Sequence, residues 1–363
     1  MVKRLLLLFM LFSSPSMAAN FSHIDTFDQA GRWIGGWSDS NKAAYLPYFC
    51  SKVDITEDLK ESGPYLKTYC PNIKGYRYTL DHTQMQNGTN GDPMNANGAW
   101  GEGPEEVYLH LSNNSTLNYG DGRSVNVTGC PGTAVKSCRM QVWMWSDDRW
   151  VYNVANPNFR VWQADRIINT LGTRFDGIWL DEHLAGFRDA LYMWHNWGGA
   201  NTTCTGGCVI KEYGLNINAA NLSGKDYNQL DLNYNNDMVG WFTYLKGRLT
   251  AVGKFSMANP ATGWGHELNA PISAAIGGID YEHVVSASTW WDYNHFQSFV
   301  NLVKTLRGYS GNKQDLQGTP ADYDGPDGYT AGNYDTAQHR YDMSRYAIYL
   351  LVRGAPGSPG TSR

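Results

Sequence analysis

Phe175-Asp176-Gly177-Ile178-Trp179-Leu180-Asp181-Glu182 is the stretch on which the fold turns. Its first six residues are nearly continuous in apolar character, as a strand buried on both faces of a parallel sheet requires. Two acids follow at once. Just upstream, Asn156-Pro157 reads as a helix start, with Asn as N-cap and Pro at the first helical position. The predicted helix carries Val161, Trp162, Ala164, Ile167, Ile168 and Leu171 on one stripe at a 3.6-residue period and ends near Gly172.

The same alternation extends outward in both directions. Residues 44–49, 75–80 and 140–145 read as strands. A Gly/Asn/Thr-rich stretch at about 183–235 reads as a long insertion, with a short helix near 190–197. A helix follows at 238–252, then strands at 255–258 and 276–281, then helices at 293–306 and 336–351. Strand–helix alternation over this length predicts an α/β fold with a parallel sheet. A doubly wound sheet would carry a Gly-rich phosphate loop after its first strand, and no G-x-G-x-x-G or G-x-x-x-x-G-K-[ST] occurs there. The expected architecture is therefore a (β/α)8 TIM barrel over residues 19–363. The tail after the last helix, Gly354 to Arg363, is too rich in Gly, Pro and Ser to make a buried strand. The simplest expectation is a barrel truncated at its last strand.

Composition narrows the function classes. The chain has 363 residues, a formal net charge of −5 and 17% charged residues. No basic surplus exists to neutralise phosphates, so nucleic acid is not an expected partner. Aromatic residues reach 13%, including 14 Trp and 23 Tyr, more than the core demands. Flat rings with polar edges suit sugar surfaces.

Residues 1–18 read as a secretory signal: Lys3 and Arg4, an apolar run from Leu5 to Phe12, and the small-x-small site Ser16-Met17-Ala18. Losing those two cations takes the net charge from −5 to −7. The mature chain is expected to be secreted or periplasmic, with no membrane association after cleavage. In that compartment the six cysteines are expected as disulfides: Cys50 with Cys70, Cys130 with Cys138, and Cys204 with Cys208. A zinc site would need two tight pairs, and only Cys204/Cys208 is tight. Asp322, Asp324 and Asp327 resemble part of a calcium loop that lacks its closing Glu. No metal and no cofactor are expected.

In parallel α/β folds the strand C-termini and the loops after them build the site. Asp181 and Glu182 stand there, and neighbouring residues of a strand point to opposite sides, so only one can face the barrel axis. Glu282 follows the 276–281 strand. Two carboxyl groups facing each other across a cleft are what glycoside hydrolysis needs, one as acid, one as nucleophile or base. The candidate catalytic set is therefore Asp181, Glu182 and Glu282. Other polar or aromatic residues near strand ends are candidate sugar contacts: Asp81, His82, Trp145, Asp147, Asn259, His283, Trp290 and Trp291. Trp179 is expected in the core. No G-x-S-x-G elbow and no H-E-x-x-H occurs, which argues against serine-hydrolase and zincin chemistry.

With these residues in place, the chain resembles a group of barrel glycoside hydrolases, the hypothetical glycosyl hydrolase family 15-like proteins. The likeness rests on the helix with Asn156-Pro157 and Ala164-Asp165-Arg166, the stretch Phe175 to Glu182, and the helix at 341–354. Its sharp part, Asp176-Gly-Ile-x-Leu-Asp181, is shared with α-galactosidase-like and polygalactosaminidase-like barrels. The resemblance implies a retaining hydrolase of polysaccharide or oligosaccharide, with Asp181 as nucleophile after the fourth strand and Glu282 as acid/base after the sixth. Two other readings stay open: a non-catalytic sugar-binding barrel, and a polysaccharide lyase using a His or Tyr base. The negative charge disfavours the acidic substrates a lyase takes.

Overall fold

Residues 177–180 form the middle of a parallel sheet, and the rest of the architecture is arranged around them. The computed structural model describes residues 27–28, 38–52, 55–57, 66–79, 83–85, 102–112, 115–118, 124–127, 134–144, 147–180, 203–205, 208–217, 225–258, 275, 277–281 and 313–316. In chain order the elements are β1 (Phe27–Asp28), α1 (Asp39–Lys52), β2 (Ile55–Glu57), β3 (Lys74–Thr79), β4 (Thr83–Met85), β5 (Ser115–Asn118), β6 (Ser124–Val127), β7 (Gln141–Met144), β8 (Asp147–Val151) and α2 (Pro157–Leu171). They continue with β9 (Gly177–Leu180), β10 (Thr203–Thr205), β11 (Cys208–Ile210), β12 (Leu215–Ile217), α3 (Lys225–Ala251), β13 (Phe255–Ala258), β14 (Gly278–Tyr281) and β15 (Lys313–Leu316).

The main sheet has seven strands in the order β1-β2-β3-β9-β13-β14-β15, every pairing parallel. Spatial order follows chain order throughout. A doubly wound sheet reverses direction at a switch point; a singly wound one, as in a (β/α) barrel, does not. The described residues thus give a mixed structure of helices and a singly wound parallel sheet. An eighth strand and closure of the sheet lie outside the described residues.

Register divides this sheet into two faces. Arg77, Ile178 and Ser256 are partners, as are Thr79, Leu180 and Ala258. Ile178, Leu180 and Ala258 pack into the main core with Ala164, Ile167 and Leu171 of α2 and Met238, Trp241, Phe242 and Leu245 of α3. The opposite face carries a separate buried cluster of Tyr76, Trp179 and Met257, with Phe255 against it. Trp179 is therefore core, as expected. All four residues of β9 are buried, which explains their unbroken apolar run.

Below β9 the chain is fastened by Asp176. Its carboxylate accepts from Lys67 Nζ (2.5 Å) and from the Gly75 amide (2.9 Å), and the Asp176 amide donates to Gly75 O (2.9 Å). The first acid of the Asp-Gly-Ile-x-Leu-Asp stretch is thus a strand-start staple between β3 and β9.

The start of α2 is as predicted: Asn156 caps it by accepting from the Asn158 amide (2.8 Å), Pro157 is the first helical residue, and Gly172 at φ +47° ends it. The buried stripe differs. It is Phe159, Gln163, Ala164, Ile167 and Leu171, while Val161 is 44% exposed. Phe159 sets the stripe because its ring lies against Tyr152 and Trp241, with centroids 5.1 Å away in each case.

Three other expectations are corrected. Residues 44–49 are helical, within α1. Their aromatic, strand-like composition yields to the helix start before them, where Ser38 caps by accepting from the Asn41 amide (3.2 Å) and Asp39 sits in the first turn. The helix expected at 238–252 begins at Lys225. Its first turns are rich in Asn and Asp, which hides them, but Tyr234 and Met238 continue the buried stripe one turn apart. The 140–145 strand is real as β7, yet it pairs antiparallel with β8 and belongs to a separate sheet, β4-β8-β7. Asp147 and Asp148 therefore begin a hairpin strand and do not end a strand of the parallel sheet. The helices expected at 190–197, 293–306 and 336–351 and the acidic loop at 322–327 lie outside the described residues.

Cys50 and Cys70 form a disulfide that ties α1 to the segment leading into β3. Cys138 is buried and disulfide-bonded; Cys130 lies outside the described residues. Cys204 is on β10 and Cys208 begins β11. Replacing Cys50 and Cys70 by Ser removes a cross-link with sequence separation 20. The expected cost is about 3 kcal/mol of unfolding free energy, read by urea denaturation against wild type.

Candidate active site

Carboxylates at strand ends need two things to act together: the same end of the sheet and the same face. The pairing of β13 with β14 runs through Ala258 and Ile279, and β14 with β15 through Gly278/Lys313, Ile279/Gln314, Asp280/Asp315 and Tyr281/Leu316. Ile279 therefore has the register position of Ala258 and Leu180. Gly278 and Asp280 have the alternate register positions, and Asp315 is the register partner of Asp280.

The sequence reading passed over Asp280 and Asp315. The available signal was spacing, since Asp280 stands two residues before Glu282 in the sequence. What sequence could not supply was the pairing of Asp280 with Asp315 across β14 and β15.

Of the expected site residues, Asp181, Glu182, Glu282, Asp81, His82, Trp145, Asn259, His283, Trp290 and Trp291 lie outside the described residues. Asp147 is described as the first residue of β8, opposite Met144 in the β7–β8 hairpin. Positions 81 and 82 link β3 to β4, so the β4-β8-β7 sheet follows directly from the C-terminal end of β3.

A second polar constellation lies in the body formed by the segments after β3 and after β9. β10 pairs with β5, and Leu111 bridges Ile210, so the two excursions share strands. At their junction His110 is fully buried. Its Nδ1 is 2.7 Å from Glu212 Oε1, its Nε2 is 2.9 Å from Glu105 Oε1, and its amide donates to Glu212 Oε2 (2.9 Å). Arg139, also buried, donates to both oxygens of Glu105 (2.8 and 2.6 Å) and to Glu102 (3.0 Å). Its guanidinium lies 3.8 Å from the Tyr108 ring centroid and 4.5 Å from that of Trp150.

The hydrogen bonds from Arg139 hold the Glu105 carboxyl below the ordinary range, against the opposing effect of burial. Burial pushes Glu102 up, and hydrogen bonds from Lys136 and Arg139 outweigh it, so it also ends low. No local pattern announces this cluster, because His110 and Glu212 are 102 residues apart in sequence. Among the described residues no group of three His, Cys, Asp or Glu side chains is arranged to hold a metal ion, and no helix is long and apolar enough to cross a membrane.

No family model matches the chain, and no curated protein matches it. Among solved structures it is similar to a cycloisomaltooligosaccharide glucanotransferase of Paenibacillus sp., at 10% identity and TM-score 0.41, with 81% of this chain and 37% of that one covered. It is similar to an α-galactosidase of Thermus thermophilus, at 7% identity and TM-score 0.43, with 93% and 59% covered. It is also similar to Ega3 of Aspergillus fumigatus, solved with galactosamine, at 11% identity and TM-score 0.38, with 85% and 82% covered. The chain thus spans less than two thirds of the length of the first two, and likenesses of this level assign neither family nor activity.

Proposed function

We propose that the chain is a secreted or periplasmic glycoside hydrolase acting on a neutral polysaccharide or oligosaccharide, with Asp181 and Glu282 as its carboxylate pair. The observation that carries this reading is the sheet register. In a singly wound parallel sheet, position 181 has the parity of Gly177 and Trp179, and position 282 that of Gly278 and Asp280. Trp179 belongs to the face turned away from α2 and α3, and strands carried one residue further would give positions 181 and 282 that parity. Position 182 has the parity of Leu180, which packs against those helices. This favours Asp181 over Glu182 as the reacting group.

β13 stands between β9 and β14. Two strand spacings are about 9–10 Å. A retaining enzyme brings its two carboxyl groups to about 5–5.5 Å of each other. In that mechanism Asp181 attacks the anomeric carbon while Glu282 protonates the leaving oxygen. The glycosyl–Asp181 ester is then hydrolysed by a water that Glu282 deprotonates. Asp280 has the same parity one step nearer the sheet and is the alternative partner. The Cys50–Cys70 disulfide supports an oxidising compartment.

The test is reducing-end release from a panel of neutral and acidic polysaccharides by wild type, Asp181→Asn, Glu182→Gln, Asp280→Asn and Glu282→Gln. Loss in Asp181→Asn with retention in Glu182→Gln supports the assignment. The reverse pattern overturns it. Product ends that absorb in the ultraviolet would mean elimination, hence a lyase, and binding without turnover in folded wild type would mean a sugar-binding barrel.

A further inference from the structure

At the end of the main sheet where its strands start, away from the proposed chemistry, a tight turn leads into β3. It runs Cys70-Pro71-Asn72-Ile73 and is closed by the Ile73 amide, which donates to Cys70 O (3.1 Å). Pro and Asn are common turn residues. Both ends of the turn are pinned. Cys70, in its disulfide with Cys50, and Ile73 are each 2% exposed. Tyr69, Pro71, Asn72 and Lys74 stand in solvent around it. Among the described side chains Tyr69 supplies the exposed aromatic ring, at 39%.

Positive charge gathers at the same end. Lys74 starts β3, Arg174 stands ahead of β9, and Lys254 stands just before β13. These strands are parallel neighbours, so their starts lie together. Lys67 donates to Asp176 (2.5 Å), while Lys254 donates to the uncharged Phe175 carbonyl (2.5 Å). Burial pushes the Lys254 amine down, Asp176 lifts it and Lys67 pushes it down again, so these three groups feel one another. β3 has six residues, about 17–20 Å end to end. That exceeds the screening length of about 8 Å at physiological salt. The candidate acids beyond the far ends of the strands therefore do not set the field at this turn.

We propose that the 69–74 turn is a second sugar-binding surface, separate from the proposed site, for a polysaccharide that carries carboxylates, such as one built of uronic acids. The Tyr69 ring stacks on a sugar face, Lys74 pairs with the carboxylate, and the Asn72 amide serves the hydroxyls. The pinned backbone loses little freedom on binding. The pairing of a ring with cations separates this ligand from other anions. An acidic peptide or an anionic lipid surface would engage the lysines and leave the ring idle. The surface does not depend on the roles given to Asp181 and Glu282.

The experiment is calorimetric titration of the full chain with a short oligogalacturonate. The matching neutral oligogalactan, a polyglutamate peptide and phosphatidylglycerol vesicles are run beside it. The oligogalacturonate is expected to bind, and to bind more weakly as salt rises. Tyr69→Ala should weaken it by about fivefold or more, while Tyr69→Phe keeps the affinity. Lys74→Gln should weaken it by up to about fivefold, the range of exposed ion pairs. Both side chains are exposed, so the unfolding midpoints should match wild type. Hydrogen exchange with the ligand bound should show added protection at the amides of residues 69–75. No binding by wild type, unchanged affinity in Tyr69→Ala or in Lys74→Gln, or added protection elsewhere and not here each overturns the proposal. So does equal affinity for polyglutamate or for the vesicles, which would make the turn a general anion surface.

Discussion

Asp181→Asn should lower kcat by about 10⁴-fold or more on any substrate the wild type cleaves, with the unfolding midpoint unchanged. An amide cannot form the glycosyl ester, so the loss falls on the chemical step and leaves KM nearly alone. On the proposed assignment of Asp181 as the reacting group, Glu182→Gln should stay within about threefold of wild type, since neighbouring residues of a strand point to opposite sides. Single-turnover kinetics with an activated aryl glycoside separate the two. Between the candidate partners, the one whose loss is rescued by a good leaving group is the acid, since such a group needs no proton. If neither Glu282→Gln nor Asp280→Asn shows that rescue, the two-carboxylate mechanism fails even where Asp181 proves essential.

Gly177→Ala should destabilise the fold by about 3 kcal/mol. A Cβ there would lie 2.5 Å from Phe255 Cδ2, Cε2 and O. The ring could swing away only by leaving its edge contact with Tyr76, at 4.3 Å between centroids. The carbonyl is backbone of β13, whose Phe255 amide also donates to Asp176 O (3.1 Å), so it cannot retreat without unzipping β9 from β13. Gly247→Ala on α3 is the control: a Cβ there meets nothing within 4 Å. Helix propensity then predicts a gain of about 1 kcal/mol. Urea denaturation of both variants reads the contrast. A Gly177→Ala protein as stable as wild type would mean that β9 and β13 are not packed as described.

The legible parts of this fold were those where local chemistry and packing agree. The α2 cap, its Gly172 stop and the apolar β9 are written in consecutive residues, and the parallel strands at 255–258 and 278–281 follow from the same pattern. Residues 44–49 misled because aromatic side chains suit a strand, while the cap that decides the helix stands at Ser38, outside that window. Asp147 and Asp148 misled because a hairpin strand and a barrel strand look alike over five residues; only the pairing with β7 separates them. At the candidate site, parity was readable for Asp181 and Glu182 but not which parity faces the helices, since that depends on α2 and α3. The His110 cluster joins segments too distant for any spacing rule.

The staple between Gly75 and Asp176 spans 101 residues. At synthesis rates of about 5–20 residues per second, β3 waits on the order of ten seconds for β9 to exist. In that interval one edge of β3 is an open template for pairing with other chains. The hairpin β7–β8 closes locally in about 1–10 μs, long before. Its pairing with β4 shortens the remaining loop, so that β9 arrives beside β3 as a neighbour rather than as a distant end. The body inserted between those two strands thereby acts on the order of assembly, setting when the central ladder can zip.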